Sequence, residues 1–242
     1  MTAPTQLTTQ GRRWRSYLAA SGLPRLDWRP AHDPASRLYA ITELAPAGDA
    51  GLTARWPVPR PRLVQGADGA CTTLAVAQLV NGRVDAGLLA RPRLTLDDVQ
   101  AAYTLAQTLD QVPGEAYVGT SVLGALKAAQ QLGWIDAYRW AFGIEDLAAG
   151  LAVGPAVVGV PWYVGLTDQD PDRPWVVSGP RIGGHALAVP AYVERNPVFG
   201  SPGFVMLNGH QRSGRDGLSF CPRDVLAGLL ADQGEAGFPL WN

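Results

Sequence analysis

A thiol that opens a helix is a different reagent from a thiol inside one. Cys71 follows the turn-forming run Gln65-Gly-Ala-Asp-Gly-Ala and begins the helix-forming run CTTLAVAQL. The first turn of a helix carries unpaired N–H groups and partial positive charge. Both favour thiolate over thiol. The same N–H groups can receive an oxyanion, and the side-chain amide of Gln65 offers a second donor. The plain alternative is a small apolar side chain buried in a core helix.

His185 begins the apolar run HALAVPAYV directly after Gly183 and Gly184. Glycine lets another backbone come close, and a strand holds the imidazole rigidly. Alone, such a histidine reads as a structural residue; beside a thiol it supplies the base that makes the nucleophile. Asn208 ends the run FVMLN. It is ordinarily a turn residue there, but it can also accept the ring N–H of His185 and fix its tautomer. The chemistry open to the three is thiolate attack on a carbonyl, with the histidine taking a proton and later returning it.

The elements that must position these residues change character along the chain. Residues 1–62 hold seven prolines after a possible short helix over 12–20, so long helices are not expected there. Helices are predicted over 71–79, with Gly82 just past the end, and from an N-cap at Thr95 to about Leu109. Two more are predicted from Ser121 to Gly133 and over 144–151. After Pro155 the runs 156–160, 185–193, 203–208 and 217–220 are short, β-branched or aromatic, and separated by turn residues. They predict an antiparallel sheet or barrel, followed by a helix over 222–232. Helices first and strands second imply an α+β fold.

Composition narrows the function. The chain has 242 residues, enough for a sizeable core, with 20 Lys plus Arg against 21 Asp plus Glu. This balance gives no reason to expect nucleic acid as a partner. No apolar run reaches the roughly 18 residues of a membrane span, and the N-terminus lacks a signal-like apolar run, so synthesis in the cytoplasm is expected. Two cysteines and three scattered histidines give no disulfide framework and no metal-ligand spacing.

In order and local pattern, these segments resemble the papain-like cysteine peptidases. Gly69-Ala70-Cys71 fits that family's nucleophile signature, and Gln65-Gly66 resembles its upstream Gln-Gly pair. LTLDDVQAAY, GTSVLGALKAAQQLGWIDAYRW, GPAVVGVPW and NGHQRSGRDGLSF resemble further family segments in the correct order, covering about residues 62–232. The resemblance implies a papain-like two-lobed fold. A helical lobe over about 62–152 is followed by an antiparallel, β-barrel-like lobe over about 153–242, and an irregular extension over 1–61 is partly packed on them. It implies a cysteine peptidase with Cys71 as nucleophile, His185 as base, Asn208 as orienting group and Gln65 as oxyanion donor. Gly119, Thr120 and Gly184 would lie along an extended peptide or protein substrate, although Ser121 with its neighbours also reads as a helix N-cap. No cofactor, metal, membrane or nucleic acid is implied.

The departures favour a second reading, a papain-like domain used for binding or assembly, with a phage particle as one setting. Thr72 follows the nucleophile where the family has Trp or Tyr. Asp68 stands where the family has Cys, and a carboxylate there opposes thiolate formation. His210, read as a surface turn residue, replaces the tryptophan that shields the His–Asn bond, and the bond is expected to be hydrated and weak. The family's long inhibitory pro-segment has no obvious counterpart. Cys221 and the eight tryptophans read as packing residues, and His32 as a loop residue without a partner. The Ala/Gly/Arg/Pro-rich composition suggests a high-GC bacterial or bacteriophage source.

Overall fold

The computed structural model describes residues 26–45, 53–66, 68–110, 118–210 and 213–241. The helix expected over 12–20 lies outside them. Two 3₁₀ turns, Pro34–Tyr39 and Ile41–Glu43, and a two-residue strand β1 (Ala54–Arg55) come first. Three helices follow, α1 (Cys71–Asp85), α2 (Leu96–Leu109) and α3 (Val122–Gln131). Beyond them lie β2 (Ala137–Ala141), α4 (Ile144–Gly150), β3 (Ala156–Tyr163), β4 (Arg181–Val193), β5 (Gly203–Leu207), β6 (Leu218–Pro222), α5 (Arg223–Ala231) and β7 (Glu235–Leu240).

The helix starts are set by local chemistry. Thr95 and Asp98 form a reciprocal capping box for α2. Ser121 accepts the Gly124 N–H at the start of α3. Helix α1 is longer than its sequence predicts, because Gly82 lies inside it rather than past its end. A β-carbon there would come within 2.4 Å of the Pro57 carbonyl, so the glycine serves close packing. The chain turns at Gly87 instead, which has φ of 69°.

The sheet runs β2-β7-β3-β4-β5-β6, every pair antiparallel, with β1 added on β4. Strand β7 was not expected. Its sequence, EAGFPL, opens on a charge and holds a proline, both poor strand signals. Helix α1 buries Leu74, Val76, Leu79 and Val80, all at most 2% exposed, in a cluster that also holds residues of β3, β4, α2 and α3. A second apolar cluster on the sheet gathers Trp162, Leu166, Ile182, Leu187, Phe204, Met206 and Cys221. Burying one such large side chain contributes about 1.5–3 kcal/mol. Residues before α1 join both clusters, Trp28 in the first and Ile41 in the second.

No helix among the described residues is long and apolar enough to cross a membrane. Among them no group of three or more His, Cys, Asp or Glu side chains could hold a metal ion.

Candidate active site

Helix α1 delivers Cys71 at its first residue, and β4 delivers His185 opposite Val160 of β3. Ala186, next to His185, shares an apolar cluster with Cys71, and its backbone is among the groups that lower the thiol pKa. The backbone at Thr72, Cys71 itself and Trp28 acts on the thiol in the same direction. Backbone N–H groups at the start of a helix act on a thiol in this direction. Yet Cys71 is 1% exposed and His185 0%, and burial dominates their protonation. It pushes the Cys71 thiol up to about 11 against those backbone groups. It pushes the His185 imidazole down to about 4 against its bond to Asn208. Burial therefore favours a neutral thiol at Cys71 and a neutral imidazole at His185.

Asn208 follows β5 directly. Its Oδ1 lies 2.8 Å from His185 Nε2 and also accepts the His210 N–H at 3.0 Å. An amide oxygen only accepts, so the ring carries its hydrogen on Nε2. His185 Nδ1 is then the free lone pair, buried and without a hydrogen-bond partner. It is the atom suited to take a thiol proton. The other end of the Asn208 amide donates to Gln169 Oε1 at 3.4 Å, which also accepts from the Ser213 and Ser219 hydroxyls. Sequence reasoning missed Gln169, which sits between Thr167-Asp168 and Asp170-Pro171 and reads as a polar loop residue.

The cover over the His185–Asn208 bond departs from the sequence expectation. His210 is half-buried, not a surface turn residue. Its ring centroid lies 4.1 Å from that of His185, tilted by 33°. Trp162, 0% exposed, meets the same imidazole edge-on at 4.7 Å, and Trp175 packs edge-on against Trp162 at 5.5 Å. The aromatic shield exists but is supplied by β3. Packing against these rings and His185, with Arg62 nearby, lowers the His210 pKa well below its ordinary value, burial being the main cause.

Gln65 is 6% exposed, and its Nε2 donates to the Asp68 carbonyl at 2.8 Å within the loop before Cys71. Its backbone N–H donates to the Gly209 carbonyl at 2.9 Å. Upstream, Gln78 of α1 pairs with both the N–H and the carbonyl of Leu63, at 3.0 and 2.8 Å. Arg62 donates to the carbonyls of Asn208 and His210 at 3.2 and 3.0 Å. The segment 62–65 is therefore a seam joining the helix that bears Cys71 to the loop that bears Asn208. Asp68 is exposed. Thr72 is buried.

The remaining sequence candidates are all engaged by one segment. Gly184 accepts the Trp28 N–H at 3.0 Å and donates to the Leu26 carbonyl at 3.1 Å. Thr120 accepts the Arg29 N–H at 3.3 Å. Gly119, at φ of 107°, leaves room for the Asp27 carbonyl, which would lie 1.7 Å from a β-carbon there. Leu26, Asp27 and Trp28 are at most 5% exposed. Trp28 Nε1 donates at 3.0 Å to Glu235, a buried carboxyl at the start of β7. Glu235 also accepts the N–H groups of Ala31 at 2.7 Å and Val122 at 3.2 Å. Burial raises the Glu235 carboxyl to about 7 against these three donors. Neither Trp28 nor Glu235 stood out in the sequence.

No protein-family model and no curated protein matches the sequence. Solved structures do match in fold. Xylellain, a cysteine protease from Xylella fastidiosa, aligns at a TM-score of 0.58 and 16% identity, over 90% of this chain and 91% of that one. Procathepsin B S9 from Trypanosoma congolense aligns at 0.59 and 14% identity, over 99% of this chain and 100% of that one. The bromelain protease from Ananas comosus, solved with the E64 inhibitor, aligns at 0.53 and 15% identity, over 78% and 95%. The chain has the papain-like α+β fold.

Proposed function

We propose that the chain is a cysteine peptidase that hydrolyses peptide bonds in an extended peptide or protein segment. The observation that carries this reading is the committed imidazole of His185, with Nε2 on Asn208 and Nδ1 without a partner. A helix-start thiol on α1, an imidazole on β4 with its Nε2 hydrogen committed to Asn208, and an unengaged Nδ1 lone pair are what thiolate chemistry needs. The papain-like fold supports it. Cys71 attacks the carbonyl carbon after its proton passes to His185 Nδ1. The N–H groups at the start of α1, with the Gln65 amide once it turns from Asp68, receive the oxyanion. His185 returns the proton to the leaving amine, and water then releases the acyl group from Cys71 by the same route.

The second reading, a domain that binds without turnover, has one observation in its favour: the thiol and the imidazole are both covered and uncharged as the chain stands. The experiment is hydrolysis of an unfolded protein substrate, with and without sub-denaturing urea, with Cys71→Ala as the blank and a thiol reductant present. New N-termini that appear only with the wild type support the peptidase. Wild type equal to the blank in every condition, across about pH 5 to 8, leaves the binding role.

A further inference from the structure

An asparagine can hold a histidine either way round. Its oxygen accepts a ring N–H, or its NH₂ donates to a bare ring nitrogen. Only the first leaves His185 Nδ1 free for a proton, so the polarity of the Asn208 amide decides which tautomer exists. The surroundings fix that polarity from both ends. The His210 N–H, which can only donate, meets one end of the amide at 3.0 Å, so that end is the oxygen. The other end is the NH₂, and the atom facing it at 3.4 Å must accept. That atom is Oε1 of Gln169.

Gln169 is itself oriented. Trp175 Nε1 can only donate, and it donates to the Ser219 hydroxyl at 2.9 Å. The Ser219 hydrogen is left for another acceptor and goes to Gln169 Oε1 at 3.2 Å. The Ser213 hydroxyl donates to the same oxygen. Three donors converge there, while Gln169 Nε2 is buried without a hydrogen-bond partner. The backbone fixes the residue as well: Gln169 bridges Ser213 in parallel, and its carbonyl accepts the Gly214 N–H at 2.9 Å. Gln169, Trp175, Asn208, Ser213 and Ser219 are each at most 7% exposed. Their contacts are therefore made away from bulk water, where an unmade hydrogen bond costs most.

We infer that Gln169 is a positioning residue, which holds the Asn208 oxygen toward His185 and so selects the Nε2–H tautomer with its bare Nδ1. This rests on the reading of Cys71 and His185 as the reacting pair. Two directed arms end on Gln169 Oε1. One runs from His185 Nε2 through Asn208, the other from Trp175 Nε1 through Ser219. Reversing the Asn208 amide would set its oxygen against Gln169 Oε1 and its NH₂ against the His210 N–H, two mismatches at once. With an apolar residue at 169 only the second mismatch remains. The reversed amide then donates to His185 Nε2, and the ring carries its hydrogen on Nδ1, the nitrogen that has to be bare.

The test reads the tautomer directly and does not depend on turnover. Full-length wild type, Gln169→Met and Gln169→Glu are isotope-labelled at the histidine ring nitrogens and followed by NMR at about pH 7, with thermal melts to confirm folding. The His185 signals are assigned by their loss in His185→Gln. Wild type should show a protonated Nε2 and a bare Nδ1. In Gln169→Met the two signals should move toward each other as tautomers mix. Gln169→Glu keeps an acceptor and should restore the wild-type pattern. In peptide hydrolysis, Gln169→Met should lower kcat by about tenfold with KM within about twofold, and Gln169→Glu should recover kcat to within about threefold. In an Asn208→Ala background, Gln169→Met should cost less than about twofold, because its effect passes through Asn208. A wild-type tautomer in a folded Gln169→Met overturns the inference, and so do kcat losses that multiply in the double variant. If Gln169→Met does not fold, Gln169→Asn, too short to reach Asn208, is read by the same criteria. Mixed tautomers in the variant without hydrolysis by wild type keep the positioning role and remove the peptidase. Wild-type hydrolysis with an unchanged tautomer in the variant keeps the peptidase and removes the role.

Discussion

Replacing Glu235 by Gln should change how stability depends on pH, and the two buried groups at the site give the size of the effect. The Glu235 carboxyl is held at about 7 in the fold, against an ordinary 4.5. Between those values the fold keeps a proton that the unfolded chain has released. Its contribution is complete below 4.5 and is lost as pH rises through 7. His185 runs the other way, held at about 4 against an ordinary 6.5. Its contribution is complete above 6.5 and is lost as pH falls through 4. Each slope is roughly 1.4 kcal/mol per pH unit, so between 4.5 and 6.5 they cancel and the wild type should be nearly flat from these two groups. Glu235→Gln removes one slope and leaves the other. Its stability should rise by about 3 kcal/mol relative to wild type over that window. The glutamine NH₂ facing the Ala31 N–H adds a penalty of about 1–3 kcal/mol that does not vary with pH. Urea unfolding followed by tryptophan fluorescence at several pH values measures the difference, in which all other titrations cancel. Parallel curves for wild type and variant would refute the argument that these two burials oppose each other.

Three further outcomes are expected. Asn208→Ala should reduce kcat by about 10–100-fold, because Trp162 and His210 keep water from the bond it makes to His185; a loss under about threefold would show that the rings alone orient the imidazole. Gln65→Ala should lower kcat by roughly 10²–10³ with little change in KM if its amide stabilises the oxyanion, and kinetics on a short peptide decide it. Gly82→Ala should destabilise the chain by about 1–3 kcal/mol in urea unfolding, because the added methyl meets the Pro57 carbonyl in a well-packed place; a neutral result would mean that the segment before α1 shifts freely.

What the sequence disclosed, and what it hid, follows from the range of the interactions. Cys71, His185 and Asn208 could be singled out because each is an unusual residue type at the end of a local pattern: a helix start, a strand after two glycines, and the end of an apolar run. The sheet was legible where strands are β-branched, as in β3 and β4, and not where β7 opens on Glu235 and carries Pro239. The segment 26–29 that pairs with Gly184 and Thr120 has no local signature. Leu26-Asp27-Trp28-Arg29 lies in a proline-rich stretch, and its partners Thr120, Gly184 and Glu235 are far along the chain. The glycines at 119, 183 and 184 were legible as places of close approach, but not as places filled by the chain itself. The shield over His185 was misjudged for the same reason, since Trp162 reaches the ring through strand pairing and not through neighbourhood in sequence.

The seam at residues 62–65 also dates the site within the folding process. Gln78 secures Leu63 from within α1, a short-range closure. Arg62 and Gln65 reach the backbone of residues 208–210 only across most of the chain. Contacts of such sequence separation cost more loop-closure entropy than the local one. A growing chain on the ribosome would carry the thiol-bearing helix long before Asn208 exists to aim His185. The thiol is thus synthesised before the group that directs its base.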